Sequence, residues 1–133
     1  YDTAGARVAV EAYKKCIKFN PKKYTAYLNL AAIYHRHSNA EMAASVSRDL
    51  LKINKNYLPI YMNYGLALGS LGKSHEAVDA FARILAKDPN NLRCRSNHLF
   101  YNQYLDDISP RKLYELHSEW NVRHADPYRS SWP

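Results

Sequence analysis

Residues 58–91 read LPIYMNYGLALGSLGKSHEAVDAFARILAKDPNN, and residues 24–57 before them read YTAYLNLAAIYHRHSNAEMAASVSRDLLKINKNY. Set one above the other, these two 34-residue stretches agree by position. Tyr27 coincides with Tyr61, Ala31 with Gly65 and Ala43 with Ala77. Leu50 and Leu51 coincide with Ile84 and Leu85. The register also runs backward. Ala9, Cys16 and Ile17 fall on the positions of Ala43, Leu50 and Leu51, and Pro21 lies two periods before Pro89. Tyr13 matches Phe81, while the stretch between them has Ser47 there; Lys55 stands where the two prolines stand. A fixed period of this length marks a stack of similar supersecondary units.

Within each unit the apolar residues keep helical spacing, i, i+3, i+4 and i+7. Tyr27, Leu30, Ala31 and Tyr34 predict one helix within residues 24–37, and Ala77, Ala80, Phe81, Ile84 and Leu85 a second within residues 75–87. Ser38-Asn39 and Gly72-Lys73-Ser74 predict the turns inside units, and Pro21 and Pro89 stop the second helices. The small residues Ala31, Gly65, Ala43 and Ala77 let the paired helices approach closely. Ser47 and Lys55 predict looser packing in the middle unit. One helix pair cannot bury its apolar face alone, so the units stack into a superhelix with a concave side. The expected organisation is an array over residues 1–91, divided into a lone second helix (1–23) and two full repeats (24–57 and 58–91). Capping or junction helices follow over 92–126, and a tether over 127–133.

The whole chain has 133 residues, of which 47% are hydrophobic and 23% charged, enough for one domain with a modest core. No apolar run approaches the roughly 18 residues of a membrane span. Two cysteines, Cys16 and Cys94, are too few for a disulfide scaffold and fit a reducing, cytoplasmic setting. The first residue is Tyr1 and no signal-like segment follows, so the chain reads as a piece of a longer protein. The net charge of +7 is concentrated in residues 1–23, in Lys14, Lys15, Lys18, Lys22 and Lys23. A solvated helix face followed by a Lys-rich turn accounts for that run. Nucleic-acid binding would need basic residues interleaved with aromatics on one face and is not the expected use.

The residue pattern resembles the tetratricopeptide repeat, in which a large aromatic, a leucine, a small residue and a tyrosine are followed by alanine, an aromatic, alanine and proline within one period. The resemblance implies an all-α fold, a right-handed superhelical α-solenoid of antiparallel helix pairs, ending here in a non-repeat C-terminal helix. It also implies a binding face along the first helices. Asn29, Asn63 and Asn97 recur once per period on those helices. An asparagine amide offers one acceptor and two donors, so a row of them can bond the backbone of an extended peptide without reading its side chains. The alternative is that each asparagine caps or pairs with a neighbouring helix. Leu28, Met62, Leu66, His35, Arg36 and Phe100 are the candidate neighbours in such a groove. The mixed lining lacks the cationic set of repeats that clamp a C-terminal carboxylate.

Beyond Pro89 a narrower resemblance appears. Ser96-Asn97-His98-Leu99-Phe100, then Tyr104, Ile108-Ser109-Pro110, Leu116-His117-Ser118-Glu119-Trp120 and Arg123-His124-Ala125 are similar to bacterial relatives of O-linked N-acetylglucosamine transferase. In that family tetratricopeptide repeats run into a two-lobed glycosyltransferase, and asparagines at the ladder position hold acceptor polypeptide. The resemblance implies that the catalytic lobes lie after residue 133 and that this segment transfers no sugar by itself. Ser109-Pro110 predicts an N-cap and first turn, with the helix running to about His124 and Leu113, Tyr114, Leu116, His117 and Trp120 along one stripe.

No other constellation carries chemistry. His35 and His37 lie nearly opposite each other on a helix, a poor spacing for one metal. Cys16 reads as an inert core residue, and Cys94, between Arg93 and Arg95, as a candidate for a lowered thiol pKa. No catalytic residue, cofactor or metal is assigned. Two functional readings remain beside nucleic-acid binding. One is a peptide-binding scaffold that presents acceptors to a protein glycosyltransferase. The other is a non-enzymatic adaptor in a multiprotein assembly. Under either, the apolar surface of an uncapped first helix offers an edge for self-association.

Overall fold

A computed structural model of the chain describes residues 3–103, 105 and 110–125. Its helices are α1 (Thr3–Phe19), α2 (Tyr24–Arg36), α3 (Ala40–Ile53), α4 (Pro59–Ser70), α5 (Ser74–Lys87), α6 (Leu92–Asn102) and α7 (Pro110–Trp120). The chain continues from α7 into a π-helical turn, Asn121–Ala125. No strand occurs among the described residues. Helices α1, α3 and α5 end one period apart, at Phe19, Ile53 and Lys87. From α1 to α6 the links are three to five residues long, so successive helices fold back on one another. Each helix packs on the next, and α2 also touches α4. This is the contact pattern of a solenoid.

Two kinds of turn alternate, and each repeats its hydrogen bonds. Inside a unit, the chain leaves the first helix through a left-handed residue, Ser38 (φ 59°) or Gly72 (φ 78°), again one period apart. The N–H of the next residue, Asn39 or Lys73, donates back to the carbonyl of Tyr34 or Leu68 at 2.8 and 2.9 Å. This is the Schellman closure of a helix end. Gly72 adopts that backbone without cost, whereas Ser38 holds it against its own Cβ.

Between units, the N–H groups of Asn20, Asn54 and Asp88 donate to Cys16, Leu50 and Ile84 carbonyls at 2.8–2.9 Å. The N–H groups of Lys23, Tyr57 and Asn91 then return to the carbonyls of Asn20, Asn54 and Asp88 at 3.0–3.2 Å. The Asn20 and Asn54 side chains also accept from Lys22 and Asn56 N–H at 3.3 and 3.1 Å. Asx geometry therefore ends α3 at Ile53 although Lys55 replaces proline.

One apolar cluster runs from Tyr27 through Leu50, Ile60, Leu68 and Phe81 to Cys94. Gly65 is a close-approach position: a Cβ built there would lie 2.7 Å from the fully buried Phe81 ring. In the preceding unit the same pair of positions holds Ala31 and Ser47, so the added methyl on the first helix goes with a smaller side chain on the second. The repeat register predicts that Ser47 thins the packing, yet it is fully buried. Its hydroxyl donates to the Ala43 carbonyl at 2.8 Å and so leaves no orphaned polar group.

The C-terminal helix departs from expectation. Regular α-helix stops at Trp120, and His124 lies in the π-turn. Leu113, Leu116 and Trp120 are half-buried, whereas His117 is exposed and Tyr114 is 72% exposed. The docking seam is a single row, because Tyr114 and His117 each sit one residue, about 100°, around the helix from it. The expected Ser109 cap and the tether at 127–133 lie outside the described residues. No helix among the described residues is long and apolar enough to cross a membrane.

Gly65→Ala should lower stability by about 1 kcal/mol net, because overpacking (~1–3 kcal/mol) outweighs the helix-propensity gain of about 1 kcal/mol. In a thermal-denaturation cycle, Gly65→Ala with Phe81→Leu should lose less than the sum of the single losses. Ser38→Gly should raise stability by roughly 1 kcal/mol by relieving the left-handed backbone. An unchanged or lower Tm in that variant would contradict the strain.

Candidate functional site

The first helices α2, α4 and α6 are each held by one side chain at the same repeat position. The Tyr27 hydroxyl donates to the Pro21 carbonyl at 2.9 Å, and the Tyr61 hydroxyl to the Lys55 carbonyl at 2.7 Å. Arg95 Nε donates to the Pro89 carbonyl at 3.0 Å. The acceptors are spaced by one period, as are the donors. Burial, with Asp49 and Tyr24 adding to it, raises the Tyr27 hydroxyl above its usual range, so it keeps the proton it donates. The side chain two residues past each donor is Asn29, Asn63 and Asn97.

These asparagines differ in surroundings. Asn29 is exposed, whereas Asn63 and Asn97 are half-buried. The Asn97 amide lies 3.7 Å from Met62 Sδ, which joins α6 to α4 at this level. Leu28, Met62 and Leu66 are half-buried against the main apolar cluster, so their inner edges belong to the core. His35 lines a cavity of about 590 Å³ with Ser38, Glu41 and Ser70, at the turn end of α2. Arg36, next to it, is exposed. Phe100 is 48% exposed, lies edge-on to Tyr101 at 5.0 Å, and borders a cavity of about 360 Å³ with His117 and Trp120. His35 and Phe100 therefore border separate cavities. Gly69, one helical turn beyond Gly65, is closed off by the Tyr101 ring, which also stacks on Phe81 at 5.9 Å.

Arg95 does more than replace a tyrosine. Its side chain is buried, and its Nη1 meets Glu119 Oε1 of α7 at 2.9 Å. Glu119 also accepts from Arg123 at 3.4 Å, Arg123 donates to Asn90 Oδ1 at 3.2 Å, and Trp120 Nε1 donates to Ser96 Oγ at 3.1 Å. Polar contacts to the α5–α6 link and to α6 thus hold α7 in place. The repeat register puts Arg95 on the tyrosine position; nothing in it points to Glu119, which lies on a helix outside the repeats.

The Cys94 thiol corrects the sequence expectation. It is fully buried, its Sγ donates to the Phe81 carbonyl at 3.2 Å, and burial pushes its pKa up to about 11 against the lowering pull of Arg95. Arg95 and Arg93 flank it in sequence, but loss of solvation outweighs proximity. Burial, with Arg95 behind it, also pushes the His98 imidazole below its usual range. The five lysines of the N-terminal run are exposed, and Lys14 has a 3.9 Å ion pair with Glu11.

In native protein at pH 8, a thiol reagent should modify Cys16 and spare Cys94 until the chain unfolds, since the thiolate is the reactive form. Above pH 9 the unfolded chain releases the Cys94 proton before the folded one does. Stability should therefore fall as pH rises from about 9 to about 11, and Cys94→Ala should flatten that part of a denaturation profile. Rapid labelling of both thiols at pH 8 would contradict the buried geometry.

Two stretches, residues 12–44 and 58–91, match profiles of the tetratricopeptide repeat and together make up half of the chain. The small glutamine-rich tetratricopeptide repeat-containing protein 2 of Mycosarcoma maydis is 32% identical over 83 residues, 62% of this chain and 24% of that protein. The tetratricopeptide repeat-containing protein trd-1 of Caenorhabditis elegans is 29% identical over 77 residues, 58% of this chain and 10% of that protein. The chain thus spans a quarter or less of these relatives. Among solved structures, a variant of the O-GlcNAc transferase of Thermobaculum terrenum is similar with a TM-score of 0.78 and 20% identity, over 92% of this chain and 24% of that one. MamA of Desulfovibrio magneticus RS-1 is similar with a TM-score of 0.75 and 16% identity, over 96% of this chain and 68% of that one. At such identities the likeness is one of fold. Period, turn chemistry and profile matches agree that the chain belongs to the tetratricopeptide-repeat family, as an all-α solenoid of the protein-interaction type.

Proposed function

We propose that the chain binds an extended polypeptide along α2, α4 and α6, and presents it as acceptor to a protein O-glycosyltransferase whose catalytic lobes lie beyond residue 133. The observation that carries this reading is the row Asn29, Asn63 and Asn97, set two residues after three equivalent helix-anchoring bonds. Equal placement on successive helices suits a ligand with a repeating backbone, and the amides bond its carbonyl and N–H groups alike. Leu28, Met62 and Leu66 would supply apolar contact beside them, with His35 and Arg36 toward one end and Phe100 toward the other. The junction motif supports the transferase half of the reading, since its Ser96 and Trp120 meet in a hydrogen bond. So does the fold-level similarity to the Thermobaculum terrenum O-GlcNAc transferase.

The segment itself supplies recognition and not transfer. Val8 and Phe19, 69% and 84% exposed on α1, support self-association through that edge. The full-length protein carrying this segment should hydrolyse or transfer from a nucleotide sugar in the cytoplasm of its host. If it uses no nucleotide sugar while still binding peptide, the transferase half fails and the adaptor reading stands. Asn63→Ala should leave helicity unchanged and weaken peptide binding by about 1 kcal/mol, the net value of one hydrogen bond. Collapse of the circular-dichroism signal in that variant would make the residue structural.

A further inference from the structure

Away from the asparagines, the link between α3 and α4 borders a cleft of about 450 Å³ against α5. Three cations line it: Lys55 from the link, and Arg83 and Lys87 from α5. None of them has an ion-pair partner among the described residues. Arg83 instead lies over the Tyr61 ring, 5.4 Å from its centroid, and the Tyr61 hydroxyl is held on the Lys55 carbonyl. Tyr61 is therefore tied at both its ring and its hydroxyl, while the three cations have no ion pair among the described residues. Leu58 and Ala86 form an apolar wall, and Asn56 adds an amide at the rim.

The cluster is a departure from the repeat, not a consequence of it. In the preceding unit the positions of Lys55, Arg83 and Lys87 hold Pro21, Asp49 and Ile53. This set of three cations is thus particular to this link, although Lys22 and Lys23 also stand in the α1–α2 link, and residues 58–91 as a whole carry three basic and three acidic residues. A continuous polyanion such as a nucleic acid calls for a stripe of cations along a face. A single cleft with three suits one multiply charged oxyanion, for which arginine is the favoured donor. The volume and the apolar wall exceed what a free anion needs, and leave room for the carbon stem that carries it.

We propose that this cleft binds a phosphorylated side chain of a partner polypeptide, with Arg83, Lys87 and Lys55 on the phosphoryl oxygens and Leu58 and Ala86 against the stem. The proposal stands on different residues from the asparagine row and does not depend on it. The test is an amide-resolved NMR titration of the 133-residue chain with short phosphoserine and phosphotyrosine peptides, their unphosphorylated forms, and inorganic phosphate.

At least one phosphopeptide should shift the amides of Asn56, Arg83 and Lys87, and do so less as salt is raised. Its unphosphorylated form should leave them in place, and inorganic phosphate should bind at least tenfold more weakly. Arg83→Asp with Lys87→Ile, which copies the residues of the preceding repeat, should weaken phosphopeptide binding at least tenfold with circular dichroism unchanged. Lys87→Ile alone provides the comparison if the double variant unfolds. Asn63→Ala should leave this binding as it is. Absence of shifts with both phosphopeptides, shifts spread equally over the lysines of α1, or equal affinity for inorganic phosphate would each overturn the proposal.

Discussion

The solenoid depends on one hydrogen bond made three times. A side chain at the fourth position of each unit reaches back six residues to the carbonyl at 21, 55 or 89. Each bond is worth only about 1 kcal/mol net, but its value is geometric. It ties the start of a first helix to the turn that ends the previous second helix, and so constrains how α2, α4 and α6 each enter. An error at one link would be carried into all units that follow, since each touches only its neighbours. The link itself is closed by Asx turns at Asn20 and Asn54 and by the same backbone bonds at Asp88. Proline is consequently dispensable at position 55, and the residue set free there can be a lysine.

Packing inside a unit obeys a volume rule rather than a residue rule. Phe81 requires Gly65 in front of it, while Ser47 goes with Ala31. The serine hydroxyl is satisfied on its own helix, so a polar residue at a fully buried position carries no desolvation penalty left unmet. Tyr101 shows the same rule across units: its ring covers Gly69 and stacks on Phe81, closing the end of the apolar cluster against α6.

At α6 the repeat is put to a second use. Arginine can do what tyrosine does at this position, since Nε–H donates to the Pro89 carbonyl. It also has a second donor edge, which pairs with Glu119 and brings α7 onto the array. The last helix is therefore fastened by a charge pair and a Trp120–Ser96 bond in addition to its half-buried row of Leu113, Leu116 and Trp120. Burial, with the same arginine adding to it, pushes the His98 imidazole below its usual range, whereas at the Cys94 thiol burial outweighs the lowering pull of that arginine.

Much of this was legible in the residues. The 34-residue period, the two helices per unit, the stop at Pro21 and Pro89 and the small positions at Ala31 and Gly65 all follow from local spacing and backbone preference, which act over a few residues. The recurrence of Asn29, Asn63 and Asn97 at one repeat position was legible too, because it is a matter of spacing alone. Three things were not. The register put Arg95 on the tyrosine position but could not show its pairing with Glu119, the flanking arginines suggested the wrong direction for Cys94, and Lys55 read as a defect. Each depends on which side chains come together from distant parts of the chain, and on how much water is left between them. Periodicity determines the order of the helices; only the folded packing decides solvation and charge pairing, because both are properties of neighbours in space.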